Sequence, residues 1–256
     1  IQHRLEGQDL QRLQFGTSSA KKVTISFWVR SNKTGTYPFY FFNIDNQRSN
    51  GFTYTIDAAD TWEYKTHTFD GDTSQGFDND ANNSLQLEWW VAAGTSYTSG
   101  TTPTGWQAHD NTDRAAGLDV NLADNTANEF LLTGVQLEIG DTATPFEHPR
   151  SYGDELARCM RYYQHIYNPA LMSFFRYSPA SGVPYREIIF PVKMRTSTTF
   201  SQSGTWNSSS GYVGNPLFSD ANTDRALLYG TNSTVANGIV YLSATSSGYL
   251  KFDAEL

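Results

Sequence analysis

The chain has 256 residues, long enough for two domains with buried cores, and it is rich in Tyr, Phe and Trp and in Thr, Ser, Asn and Gly, the profile of a turn-rich β protein. Its net charge of −8 excludes a nucleic-acid partner, because neutralising phosphates needs a basic stripe, and no apolar run reaches the roughly eighteen residues that membrane insertion requires. The single cysteine, Cys159, excludes an intrachain disulfide and a cysteine-based zinc site.

The opening "IQHRLEGQ" has no initiator methionine and no signal peptide, which predicts a piece of a longer chain. Residues 5–20 are polar and read as loop or sheet edge. Val23, Ile25, Phe27 and Val29 then alternate with Thr24, Ser26, Trp28 and Arg30, the period of two that a half-buried strand requires. "FYFFNID", "GFTYTID" and "TWEYKTHTF" read as three more strands, the last with Trp62 and Tyr64 on the side opposite Glu63 and Lys65. An acidic loop, "DGDTSQGFDNDANN", leads to "SLQLEWWVAAG", with Leu85, Leu87, Trp89 and Val91 on one side and Gln86, Glu88 and Trp90 on the other. "LDVNL" reads as a short strand, and Leu131, Thr133, Val135, Leu137 and Ile139 as one face of a longer one.

Pro145 and Pro149 stop regular pairing, since neither has a backbone donor. Ser151 and Asp154 have capping-box spacing, and Leu156, Cys159, Met160, Tyr163 and Tyr167 form a helical stripe, which predicts a buried thiol at Cys159. Beyond it, "PALMSFFRYSPASGVPY" bends the chain, "REIIFPVKM" reads as a strand, and "NGIVYLSATSSGYLKFDAEL" as a terminal hairpin with Ile239, Tyr241, Leu250 and Phe252 as its apolar positions. The expected fold class is mostly β. Residues 1–149 form an antiparallel β-sandwich or jelly roll, 150–168 a connecting helix and 169–256 a small C-terminal β domain.

Strand parity gathers the candidate chemistry. Trp28, Arg30, Gln86, Glu88, Trp90 and Gln136 all lie opposite the core-facing positions of their strands. Indoles stack on the apolar faces of pyranoses, while amides and carboxylates fix hydroxyls, so such a face suits a sugar; the alternative is that loops or another subunit seal it. Asp70, Asp72, Asp78 and Asp80 are oxygen ligands at short spacing, a candidate structural Ca²⁺ site without the EF-hand pattern; a solvated acidic loop is the other reading. Glu63 and Glu88 are the carboxylate pair a glycosidase would need. The five histidines are scattered, and neither a nucleophile elbow nor a phosphate loop appears, so the residues predict a protein that is not an enzyme.

The segment "TGVQLEIGDTATPFEHPRSYGDELARCMRYYQ", with "EGQDLQRLQFGTSSAKKVTISFWVRSNKTGTY" and "NLADNTANEFLLTGVQLEIG", resembles a family of tail-fibre-like proteins of tailed, often marine, bacteriophages. The likeness covers residues 5–165 closely and the rest loosely, through "IIFPVKMRTSTTF" and "GYLKFDAEL"; Pro149 stands where the family runs from His directly to Arg. The resemblance implies a carbohydrate-binding-module-like sandwich and a C-terminal tip domain. It implies a virion protein, extracellular when it functions: a non-catalytic, receptor-binding adhesin for a bacterial surface glycan. A structural fibre-shaft or capsid-decoration protein and a glycan depolymerase are the alternatives. Its partners would be other tail or virion proteins and itself, as a homotrimer joined through Leu156, Cys159, Met160 and Tyr163.

Overall fold

Alternation of large apolar and small polar side chains dominates the first 140 residues, and the computed structural model turns it into strands. It describes residues 1–146, 151–167, 172–176, 185–204, 206–208, 217–229, 238–244 and 248–255. Two compact units part between His148 and Pro149. The chain is mostly β, with antiparallel sheets and few helical residues.

The first unit contains β1 (Gln2–Glu6), the short α1 (Gly7–Leu10), β2 (Val23–Ser31), β3 (Gly35–Asn43), β4 (Arg48–Ile56), β5 (Glu63–Phe69), β6 (Asn83–Trp89), α2 (Thr95–Thr98), β7 (Gln107–Ala108) and β8 (Phe130–Ile139). One sheet has the order β1-β6-β3-β4-β7 and the other β5-β2-β8. They face each other across one core to which β2 gives Ile25, Phe27 and Val29, and β3, β4 and β6 give Phe39, Phe41, Ile56, Leu85 and Trp89. The core is mainly aromatic. Phe39 is fully buried, with ring centroids 4.9 Å from Trp89, 5.0 Å from Phe41 and 5.4 Å from Phe52. Each such ring contributes roughly 1.5–3 kcal/mol through burial alone.

Three expectations need correction in this unit. Residues 5–20 are not simply polar edge: β1 pairs with β6, and Leu10, Leu13 and Phe15 enter the core. "LDVNL" forms no strand; Leu122–Asp124 is a short 3-10 turn capped by the Asn121 side chain. The face assigned to β8 is interrupted. Ser26 pairs with Gln136 but Trp28 pairs with Thr133, so Gly134 and Val135 together oppose Phe27. Gly134 has φ +57°, the left-handed conformation a glycine bulge uses. Leu137 still packs inward, but before the bulge Phe130 and Leu132 do so, while Leu131 is exposed.

In the second unit, Ser151 caps α3 (Tyr152–Met160), its hydroxyl accepting from the Asp154 N–H at 3.3 Å and donating to the Asp154 carboxylate at 2.8 Å. The helix stops at Met160, shorter than the expected 150–168. Tyr163 and Tyr167 belong to β9 (Tyr163–Tyr167), and Cys159 is exposed. The strands that follow are β10 (Met172–Arg176), β11 (Tyr185–Ile189), β12 (Thr199–Ser203), β13 (Trp206–Ser208), β14 (Leu217–Ala221), β15 (Arg225–Tyr229), β16 (Gly238–Ala244) and β17 (Tyr249–Asp253). Three small sheets result: β9-β17-β12, β11-β15-β14 and β10-β16-β13. The expected terminal hairpin does not form, because β16 and β17 pair in different sheets. Phe190, Leu228, Leu250 and Phe252 centre the core of this unit. Much of the bend expected over 169–185 lies outside the described residues.

Candidate functional site

A two-layer sandwich has two outer faces, and the six parity-selected residues divide between them. Trp28, Arg30 and Gln136 lie on the sheet β5-β2-β8; Gln86 and Glu88, followed by Trp90, lie on the other. Trp28 and Trp90 therefore do not share a face. Parity fixes inside against outside, but not which outside.

The face of the five-stranded sheet is sealed by its own chain. Residues 97–114 fold across Tyr40, Phe42 and Glu88, which are buried, and Gln86, also buried, accepts from Gln2 Nε2 at 2.7 Å. His109 stacks on Phe42 at 4.1 Å between centroids and its Nδ1 lies 2.9 Å from the Tyr40 hydroxyl, whose pKa burial pushes up to about 12. The Arg114 guanidinium lies 5.5 Å above both Phe42 and Trp90 and forms a bidentate pair with the Glu88 carboxylate, its Nε at 3.1 Å. Trp90 Nε1 donates to Glu88 at 2.9 Å and Gln2 Nε2 at 3.0 Å. Glu88 is thus an internal anchor for the covering segment. Glu63 stands at the start of β5 in the other sheet, taken up by Lys65 at 2.7 Å and by the N–H groups of Asp57 and Ala58, so these two carboxylates form no facing pair.

The face of the three-stranded sheet is open at one end. Trp28 is 42% exposed and pairs across strands with Tyr64, 43% exposed, their rings 5.3 Å apart. Trp62, two residues before Tyr64, is 43% exposed, and Phe146 is exposed as well. The bulge shapes this surface, since a Cβ at Gly134 would stand 3.3 Å from Trp28 Cδ1 and 4.0 Å from Phe146 Cγ. Arg30 borders it, held by the Asp60 carbonyl at 2.8 Å and carboxylate at 3.0 Å. At the other end Gln136 is engaged: its Nε2 donates to Glu138 and to the Thr144 hydroxyl, both at 2.9 Å; Thr24 and Ser26 are buried there, the Thr24 hydroxyl donating to the Gly140 carbonyl at 2.9 Å. Sequence reasoning missed Tyr64 and Trp62 as members of the site. The signal was present in their alternation, but the pairing that sets Tyr64 beside Trp28 is long-range.

Two carboxyls near this sheet are held low. Burial alone would raise Glu138, but hydrogen bonds from Gln136 and Thr144 outweigh it and keep the group below its ordinary 4.5. Burial likewise opposes Lys65 and the N–H groups of Ala58 and Asp57 at Glu63, with the same net direction. A carboxyl held low contributes stability that is complete above its unfolded value and lost as pH falls through the lower folded one. The melting temperature of the first unit is therefore expected to stay level from neutrality to about pH 5 and to fall below it. Glu63→Gln combined with Glu138→Gln should flatten that decline in a calorimetric pH series.

The four acidic calcium candidates do not converge. Asp72 is buried and paired with Arg48; Asp70 is exposed beside Lys22 at 3.2 Å; Asp80 accepts from the Asn82 N–H at 2.9 Å; Asp78 uses its backbone carbonyl and N–H. Among the described residues no group of three or more His, Cys, Asp or Glu side chains is placed to hold a metal ion. Of the candidate trimer contacts, Leu156 and Cys159 are exposed and Met160 is partly buried on α3, whereas Tyr163 lies on β9.

No family model, curated protein or solved structure matches this chain.

Proposed function

We propose that the first unit is a non-catalytic glycan-recognition module of a phage tail-fibre or receptor-binding protein, and that it binds a bacterial surface glycan on the open face around Trp28. The observation that carries this reading is the pair of Trp28 and Tyr64, opposite each other on neighbouring strands with ring centroids 5.3 Å apart and each more than 40% exposed, with the equally exposed Trp62 just before the strand of Tyr64. Large exposed aromatics cost hydration free energy, and a cluster of them marks a surface with a partner. A sugar ring suits that surface because its C–H face stacks on an indole while its hydroxyls reach rim groups such as Arg30 and Thr133. The tail-fibre context rests on the sequence resemblance.

A bacterial glycan array probed with the full chain tests the proposal. Trp28→Ala is expected to weaken binding at least about tenfold, the loss of roughly 1.4 kcal/mol or more of stacking, while the melting temperature hardly moves, because the ring is nearly half exposed. An array blank for the unmodified chain would leave the face to another virion protein. A large stability loss in Trp28→Ala would make the ring part of the core.

A further inference from the structure

At the edge of the sandwich, where β4 and β5 leave the two sheets unjoined, a cleft of about 380 Å³ runs between the 70–74 loop and Thr104–Trp106. Its charges are already cancelled. Arg48 and Asp72 form a buried pair, and Arg48 Nη2 also donates to the Trp106 carbonyl at 2.9 Å, while Asp72 accepts from the Ser74 N–H at 2.9 Å. Asp70, at the rim, is matched by Lys22. The pair fixes both walls and leaves no free charge to attract an ion.

What the cleft leaves unused is neutral. Asn50 lines the cleft and is only 4% exposed; its Oδ1 accepts from the Gly51 N–H at 2.8 Å, while its amide nitrogen donates to no group among the described residues and is open to the cleft's solvent. A donor that only solvent reaches, at the wall of a cleft, can exchange its water for a ligand oxygen. Trp106 supplies a rigid ring, held by Nε1 donating to the Asp70 carbonyl at 2.8 Å, by Phe41 lying parallel at 6.2 Å and by Phe15 standing nearly perpendicular to it at 5.4 Å. His67 stacks on Phe52 at 4.2 Å, and burial keeps its pKa below the ordinary value, so it is uncharged at neutral pH.

A fixed aromatic ring, an open amide donor and the hydroxyl of Thr73, with all charges paired, match one ligand class. We infer that this cleft binds a single neutral sugar residue, with a ring or hydroxyl oxygen on Asn50 and its apolar face toward Trp106. The inference shares only its ligand class with the reading of the Trp28 face; the two sites use different side chains.

Titration of the ¹⁵N-labelled full chain with the methyl glycosides of glucose, galactose, mannose and N-acetylglucosamine, and separately with dextran, tests it. At least one glycoside is expected to shift the Trp106 indole and Asn50 side-chain amide resonances in a saturable way. Binding of dextran alone would assign the cleft to an internal residue of a chain rather than to a free sugar. The shifts should persist in Trp28→Ala and weaken about tenfold in Asn50→Asp, which keeps the size and the Gly51 contact but removes the donor. If that variant does not fold, Thr104→Trp on the exposed wall should fold and block the shifts. Silence at both resonances with every probe overturns the inference. So does undiminished binding in Asn50→Asp or Thr104→Trp, or loss of the shifts in Trp28→Ala. Failure of the Trp28 reading alone would leave these shifts intact.

Discussion

Arg114→Met is expected to destabilise the first unit by about 3–5 kcal/mol, the usual cost of stranding a buried charge by removing its partner. The Glu88 side chain is 4% exposed and that of Arg114 19% exposed, so water cannot replace the guanidinium without dismantling the covering segment. Trp90 and Gln2 would still donate, but neither neutralises the carboxylate. The stranded carboxylate is what sets the size of the loss. Urea unfolding followed by tryptophan emission measures it, since Trp28, Trp62, Trp89, Trp90 and Trp106 lie in the first unit and only Trp206 in the second. Adding Glu88→Gln to the variant should recover part of the loss. A single-variant cost under about 1 kcal/mol would mean that the pair behaves as a surface ion pair.

The second large effect belongs to Phe39→Ala, also about 3–5 kcal/mol. Phe39 lies on β3, between β6 and β4, and its ring meets Phe27, Phe41, Phe52, Phe69 and Trp89. Removing it opens a cavity bounded by rigid rings, which collapse into a void poorly. The urea midpoint should fall, and Trp89 emission should shift to the red in the folded variant. Phe39→Leu, which retains most of the volume, should cost less. If alanine were tolerated within 1 kcal/mol or so, the two sheets would have to close over the gap.

The strands of the first unit were legible because β2 and β6 alternate over seven or more residues and bury their apolar side almost completely. Which strands share a sheet was not legible. Trp28 and Trp90 satisfy the same parity rule, but membership depends on pairings between residues more than thirty positions apart, as between β2 and β5. The helix end failed for a different reason. Tyr163 and Tyr167 are four apart, which fits a helical stripe, and they also alternate with Gln164 and Ile166, which fits the strand that forms. Capping at Ser151 was readable because it is local. The exposure of Cys159 was not, since it depends on what the short helix meets. The covering segment 97–114 has no periodicity; its anchor, Arg114 on Glu88, could be found only by asking which cation answers a carboxylate next to a core tryptophan.

The bulge at Gly134 also bears on how this chain can vary over descent. Because β8 carries one residue more than β2 opposite it, its two halves keep opposite parities, and Phe130 and Leu132 before the bulge and Leu137 after it all pack inward only at the present length. Loss of one codon there would rotate residues 130–133 by half a turn, bringing Leu131 and Thr133 inward and sending Phe130 and Leu132 into solvent. A duplicated codon would do the reverse on the other side of the glycine. Side chains along this strand can be exchanged one at a time, but its residue count cannot drift. Changes in length are left to stretches such as 70–82 and 94–106, where no ladder on both sides counts residues.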